Sequence, residues 1–254
     1  NKIRNIKTID ELFYKITQKI NLLLTFPKGG FTRYPVDVFM KKISSTKISN
    51  NIKVLDVGAG NKPYKNLFNN CLYESCDHDV ISKKLNINDD DKHTFYCDIT
   101  KKIPKPDNYY DLIICNEVME HLNEPYSALQ EFYRILRPKG TLVITAPQCH
   151  GLHQEPHNYF NYLSYGLEYL LKKSNFVNIE IKPLGGTFHL LGKLLNNSFN
   201  ILLFREKKIN KILFYPLELL VKIILYPISI LLFYLDFFDK DKKWTIHYGC
   251  VCKK

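Results

Sequence analysis

Val54-Leu55-Asp56-Val57-Gly58-Ala59-Gly60-Asn61-Lys62-Pro63-Tyr64 reads as a short apolar strand running straight into a glycine turn. Gly58 and Gly60 let the backbone come close to a ligand. A helix starting after the turn would present its first amides at the same place. A dinucleotide fingerprint would carry a third glycine where this chain has Pro63, because that glycine lets the helix pack closely on the strand. Proline suits the first turn of a helix but packs differently. Asp56, two residues before the first glycine, would stand unfavourably close to a pyrophosphate, yet it suits a ligand bearing an ammonium group. The stretch argues against NAD and for a cationic cofactor without phosphates.

Outward from this turn the chain alternates short apolar runs with helical segments. IKVLDV (52–57), LYESCD (72–77), TFYCDI (94–99), DLIICN (111–116) and TLVITA (141–146) have the length and content of buried strands. Glu124 to Leu136 places Tyr126, Leu129, Phe132, Tyr133 and Leu136 at helical spacing, and RPKG stops it. Tyr162 to Lys173 predicts another helix, followed by a strand at Val177 to Ile181. TIHYGCVCK (245–253) alternates and predicts an antiparallel edge strand. Strands alternating with helices imply an α/β fold, a Rossmann-like, doubly wound and mainly parallel sheet of seven strands. Thr8 to Phe26 predicts an N-terminal helix, and a second is expected after Pro35. The expected division is 1–50 as an N-terminal helical lid, 51–183 as the cofactor-binding core, and 184–254 as a hydrophobic helical insertion with the last strand.

The DxGxG turn after the first strand resembles motif I of the class I S-adenosylmethionine-dependent methyltransferases, in their broad type-11-like branch. Asp77 stands where that family's second strand presents an acid to the ribose hydroxyls. Cys97-Asp98-Ile99 resembles the adenine contact. DLIICNEVMEHL (111–122) resembles the fourth strand with its loop, and LRPKGTLVITAP (136–147) the turn into the fifth. The resemblance runs in family order over residues 52–183. It implies S-adenosylmethionine as cofactor, held by Asp56, Gly58, Gly60, Asp77, Asp98, Ile99 and Asn116, with Arg33 of the lid meeting the methionine carboxylate.

In such sheets the ligand crevice lies beyond the carboxyl ends of the strands, so the acceptor should meet the residues after strands four and five. Glu117, Glu120 and His121 stand at i, i+3 and i+4, one face of a helical turn if the loop is helical. His150, His153 and His157 put three of the chain's 8 histidines within a short run. Methyl transfer needs the acceptor positioned and its proton removed. An imidazole near neutrality can take that proton, with a carboxylate fixing its tautomer. The expected base is His121 or His157, with Glu117 or Glu120 as partner. An alternative comes from the ExxEH pattern, which is similar to the divalent-metal motif of small-RNA 2′-O-methyltransferases and ubiquinone-pathway O-methyltransferases. That resemblance implies a metal ion held by Glu117, Glu120, His121 and His157.

Charge narrows the partners. The net charge of +11 is carried by the flanks, with 10 Lys/Arg against 3 Asp/Glu in residues 1–50 and 11 against 5 in 184–254. No zinc-finger or aromatic-glycine RNA signature accompanies it, which argues against nucleic acid and for a small anionic acceptor. The 7 cysteines form no CxxC pair and, with no signal-peptide pattern, fit a reducing cytoplasm. Residues 186–239 form long aliphatic and aromatic runs broken by Pro216 and Pro227. The longest uncharged run, Ile223 to Leu235, is short of the ~20 residues a membrane span needs. The expected element is a pair of covering helices or, since lysines flank 205–240, a peripheral membrane contact. The layout also resembles methyltransferases of bacterial capsule and surface-polysaccharide pathways. Two alternatives stay open: a quinone- or lipid-pathway O- or C-methyltransferase, and a non-catalytic cofactor-binding subunit.

Overall fold

The computed structural model describes residues 30–46, 50–79, 92–202 and 211–254, with residues 31, 46, 199–202 and 211–222 as backbone only. The helix expected over 8–26 lies outside the described residues. The chain folds as two compact units, residues 38–184 with 246–254, and residues 1–37 with 185–245.

The first unit holds a sheet of seven strands: β1 (Lys53–Val57), β2 (Leu72–Asp77), β3 (Phe95–Tyr96), β4 (Tyr110–Asn116), β5 (Leu136–Pro147), β6 (Val177–Leu184) and β7 (His247–Lys253). Their order is β3-β2-β1-β4-β5-β7-β6. The first five run parallel, and β7 lies antiparallel to both β5 and β6. The last strand is therefore not the edge. His247 to Cys252 are all buried, as an inner strand requires, whereas β6 keeps exposed residues along its length and forms the rim. Leu55, Val57, Ile113, Cys115 and Ile144 are fully buried in the central strands. That burial explains the unbroken apolar runs in the sequence.

Helix α1 (Gly30–Thr46) starts ahead of Pro35 rather than after it and runs through it, forgoing one backbone donor. Helix α2 (Pro125–Ile135) buries Ala128, Leu129, Phe132 and Ile135 against the sheet. Helix α3 (Ser164–Lys173) buries Leu167 and Leu171. It begins two residues later than expected because the Tyr162 amide donates to Pro147 O at 2.7 Å and its hydroxyl to Met119 O at 2.9 Å.

In the second unit, α4 (Thr187–Leu202) packs on α5 (Lys211–Leu235), with the His189 ring 5.2 Å from that of Phe233. Helix α5 is continuous through both Pro216 and Pro227. Among the described residues no helix is long and apolar enough to cross a membrane. Two carboxylates hold the first amides of α4: Asp236 accepts from Gly186 and His189 at 2.9 and 3.0 Å, and Asp239 from Thr187 at 2.7 Å. This is the favourable charge for a helix N-terminus.

Arg134 on α2 ties the connection before β4 to the sheet unit. Its guanidinium donates to Ile103 O, Lys105 O, Asp107 and Glu131 at 2.7 to 3.0 Å, while Glu131 accepts from the Ile103 amide at 2.7 Å. Arg134→Leu leaves these acceptors unpaired and should cost about 2 kcal/mol in urea unfolding at neutral pH. The Arg134 hydrogen bond holds the Glu131 carboxyl below its ordinary value, against partial burial. That contribution is present above the ordinary glutamate pKa and is lost as pH falls through the depressed value. The parent should therefore lose more stability than the variant as pH falls below the ordinary glutamate value of 4.5, and equal losses would refute the assignment.

Candidate active site

Parallel pairing of β1 with β4 sets Val57 opposite Cys115, so the turn after β1 and the loop after β4 open side by side. This is also where the strand order reverses, the place where such sheets bind ligands. Gly58 has φ +61°, and a Cβ there would lie 2.4 Å from Cγ2 of Val118. Only glycine fits both the left-handed backbone and the contact. Gly60 has φ +50°, and a Cβ on it would meet nothing within 4 Å, so its outer side is open.

The turn's amides are already committed. Gly58 N and Ala59 N both donate to Cys76 O, at 2.8 and 3.3 Å, and Gly60 N donates to Asp77 Oδ2 at 3.0 Å. A phosphate nest needs such amides turned outward. No α-helix follows either: Pro63 precedes a single 3-10 turn, Lys65–Phe68. The expectation of helix N-terminal amides at this turn is thus corrected, and the exclusion of a pyrophosphate is strengthened.

The predicted cofactor residues fall around this turn. Asp56 is 2% exposed and accepts from the Tyr73 hydroxyl at 2.6 Å, an anchoring contact within the protein. Asp77 ends β2 with one oxygen on Gly60 N and the other on the His78 amide at 2.7 Å. Asp98 accepts from the Thr100 amide and hydroxyl at 3.0 and 2.6 Å. Partial burial raises its pKa, but these bonds prevail and hold it below the ordinary value. Ile99 is buried in the core. Asn116 ends β4 with its Oδ1 3.3 Å from the Thr145 hydroxyl, and its Nδ2 is buried without a partner. Open space over Gly60, an unpaired amide donor at Asn116 and committed turn amides fit a cofactor that is polar but carries no phosphate. Arg33 lies on α1 and pairs with Asp37 at 3.4 Å.

The loop after β4 is not helical at Glu117, which has φ +53°; only Met119–His121 form a 3-10 turn. The two glutamates consequently part company instead of sharing a face. Glu117 Oε2 sits 2.8 Å from Nδ1 of His247 at the start of β7. Burial pushes the Glu117 carboxyl up, but the bond and charge of His247 outweigh it and leave it below its ordinary value. Glu120 is 1% exposed, and neither carboxylate oxygen has a hydrogen-bond partner. Burial, with the charge of Glu117 beside it, pushes its carboxyl up to about 9.

His121 Nε2 and His153 Nε2 lie 3.7 and 4.0 Å from Glu120 Oε1. Their rings are 4.9 Å apart, and the His150 ring lies 4.4 Å beyond that of His153. Burial is the main cause that lowers the His121 pKa and favours its neutral form. His157 joins differently: its carbonyl accepts from His121 Nδ1, and its ring Nδ1 lies 3.4 Å from the Tyr159 hydroxyl. Of the expected set of Glu117, Glu120, His121 and His157, Glu120 and His121 lie together with His153 beside them, whereas Glu117 meets His247 and the His157 ring turns toward Tyr159. The histidine-rich run pointed to this loop without saying which ring turns inward. His247 had no local signal, since β7 brings it in from far along the chain.

The family described as "Methyltransferase domain" matches residues 55–144. The chain is 30% identical over 123 residues to an uncharacterized protein of Methanocaldococcus jannaschii, covering 47% of this chain and 50% of that protein. It is 26% identical over 148 residues to the ubiquinone/menaquinone biosynthesis C-methyltransferase of Paraburkholderia phymatum, covering 54% and 59%. The chain thus spans about half the length of these curated relatives. Among solved structures it resembles a SAM-dependent methyltransferase of Archaeoglobus fulgidus, with TM-score 0.54 and 14% identity over 86% of this chain and 94% of that one. It also resembles phosphoethanolamine N-methyltransferase 2 of Haemonchus contortus, solved with S-adenosyl-L-methionine, with TM-score 0.52 and 14% identity over 89% and 53%.

The fold is that of the class I methyltransferases. Residues 55–144, which match the methyltransferase-domain family, contain the glycine turn, Asp77, Asp98 and the Glu120 loop. The cyclase SpnF shares the same fold, with TM-score 0.55 and 14% identity over 86% and 81%, so the fold leaves the acceptor chemistry to the loops.

Two substitutions check the methyltransferase turn. Gly58→Ala should lower the melting temperature and weaken S-adenosylmethionine binding, and adding Val118→Ala should restore part of both. No recovery would mean that the contact with Val118 is not the cause. Asp77→Ala should reduce cofactor affinity in calorimetry at least ~10-fold, the loss of about one hydrogen-bonded charge, and unchanged affinity would refute the ribose assignment.

Proposed function

We propose that the chain is an S-adenosylmethionine-dependent O-methyltransferase acting on a small anionic or phosphorylated acceptor, a sugar hydroxyl or phosphate-linked group, in capsule or surface-polysaccharide biosynthesis. The observation that carries the reading is the Glu120, His121 and His153 cluster, set by Val118 directly beside the cofactor turn. Bound S-adenosylmethionine supplies a methyl group on a sulfonium that becomes neutral on transfer. Asp77 and Asp98 hold its ribose and adenine, and Asn116 Nδ2 donates to it.

The acceptor oxygen is placed at the open ends of β4 and β5, and its proton leaves through the cluster. His121 suits this role because its Nδ1 is bound to His157 O, which leaves Nε2 as the basic atom. The histidine-lined mouth and the basic flanks favour an acceptor with negative charge. The phosphoethanolamine enzyme is a relative in fold whose name carries a phosphorylated acceptor.

A second reading, a quinone- or lipid-pathway methyltransferase in peripheral contact with a membrane, draws on α5. Ile224, Ile228 and Leu231 stand exposed at helical spacing, and the relative from Paraburkholderia phymatum acts in quinone biosynthesis. In either case the chain is expected to work in the cytoplasm.

Radiolabelled methyl transfer to a panel of nucleotide-linked sugars, phosphorylated metabolites and quinols tests both readings. Label in a sugar or phosphate-linked product supports the first, and label only in quinols with flotation on liposomes supports the second. Cofactor binding without transfer to any acceptor would overturn both in favour of a regulatory subunit. His121→Ala should lower kcat by about 10²-fold or more while S-adenosylmethionine affinity stays within about twofold. Equal losses in both would place His121 in cofactor binding instead.

A further inference from the structure

The Glu120 carboxylate is nearly inaccessible to water, and neither oxygen receives a hydrogen bond. A buried carboxylate left this way is costly unless something cationic faces it. What faces it is a pair of imidazoles with the same hydrogen-bonding pattern. His121 Nδ1 is 2.5 Å from His157 O, and His153 Nδ1 is 3.0 Å from Gly151 O. A carbonyl only accepts, so each Nδ1 carries the hydrogen and each neutral ring has its lone pair on Nε2. Those Nε2 atoms lie 3.7 and 4.0 Å from Glu120 Oε1, and one ligand atom from each of the three residues falls within 4.8 Å of the other two.

We propose that Glu120, His121 and His153 bind a divalent transition-metal ion of the zinc class, leaving one coordination position open to the acceptor. The donor set is two imidazoles and one carboxylate, a set that suits zinc or cobalt and suits magnesium poorly. Backbone carbonyls on both Nδ1 atoms are the outer partners that fix metal-binding histidines in orientation and tautomer. Tetrahedral bonds of about 2.0 to 2.1 Å set ligand atoms about 3.4 Å apart, so each imidazole has to move by only about 0.3 to 0.6 Å toward Glu120, whereas the two imidazoles, whose ligand atoms lie within 4.8 Å, have to close by up to about 1.4 Å. Glu117 stays outside the set because its carboxylate is engaged by His247. His157 contributes its carbonyl rather than its ring.

The chemical consequence rests on the methyltransferase reading, whereas the binding does not. An ion at this place occupies the Nε2 lone pair of His121 and takes over from it as the activating group: it lowers the pKa of an acceptor hydroxyl that meets its open side, so the hydroxyl gives its proton to solvent rather than to His121 and its oxygen attacks the methyl carbon. The carbon–sulfur bond breaks and the electron pair returns to sulfur, with no oxidant or reductant required.

The test is calorimetric titration of the chelator-stripped, untagged full chain with zinc ion and with cobalt ion. One ion per chain is expected, with cobalt giving the intense visible absorption of a tetrahedral site. Glu120→Gln and His153→Ala should each weaken binding at least ~10²-fold, and His157→Ala should leave it within about threefold. Calorimetry with S-adenosylmethionine on the same variants verifies that each is folded. Absence of stoichiometric binding overturns the proposal. So does binding that survives Glu120→Gln and His153→Ala, or binding that is lost in His157→Ala. Methyl transfer at full rate by a stripped chain that binds no ion refutes this proposal and leaves the methyltransferase reading standing. Stoichiometric zinc binding without methyl transfer does the reverse.

Discussion

Val118 rests where a side chain on residue 58 would have to be, 2.4 Å from the Cβ that Gly58 does not have. The contact joins the turn after β1 to the loop after β4, and both halves of the candidate site hang from it. On one side the turn is pinned to β2 through Cys76 O and Asp77, which uses up its amides and leaves space over Gly60. On the other side Val118 leads into the tight turn that buries Glu120 and directs His121 toward it. Methyl transfer requires donor and acceptor to meet in line, and a shared packing contact between their two loops is a direct way to keep that geometry.

The two glutamates of the loop show how environment separates like groups. Glu117 meets His247 and is held in its charged form in spite of burial. Glu120 is buried beside that charge with no donor of its own, so its own ionisation is opposed unless a proton or cation is added. A pair of carboxylates three residues apart thus yields one structural ion pair and one group available for chemistry. His247 reaches Glu117 because β7 inserts between β5 and β6, and the last strand therefore contributes to the electrostatics of the loop after β4.

Much of the fold was legible because buried parallel strands and amphipathic helices leave local patterns. The apolar runs ending at Val57, Asp77 and Asn116 became β1, β2 and β4, and the period of Leu129, Phe132 and neighbouring residues became α2. The DxGxG turn was legible as a phosphate-free site from Asp56 and Pro63 alone. Less was legible where a local rule met a stronger tertiary demand. Pro35 predicted a helix start, yet α1 begins ahead of it and continues through it. The alternating pattern of the last strand suggested an edge, but β7 is paired on both sides, with β5 and with β6, and His247 to Cys252 are buried.

The linear order of residues by itself determined the strand and helix succession, the glycine turn and the loops that carry the acidic and imidazole groups, because periodicity, turn chemistry and composition act over a few neighbouring residues. Only the tertiary structure decided which of those groups meet. His153 rather than His157 faces Glu120, and His247, 130 positions from Glu117 in the numbering, takes that carboxylate. The physical reason is that a loop's side-chain directions follow from backbone dihedrals set by distant packing: the positive φ of Glu117, the seat of Val118 on Gly58 and the carbonyls of Gly151 and His157 that turn the two rings.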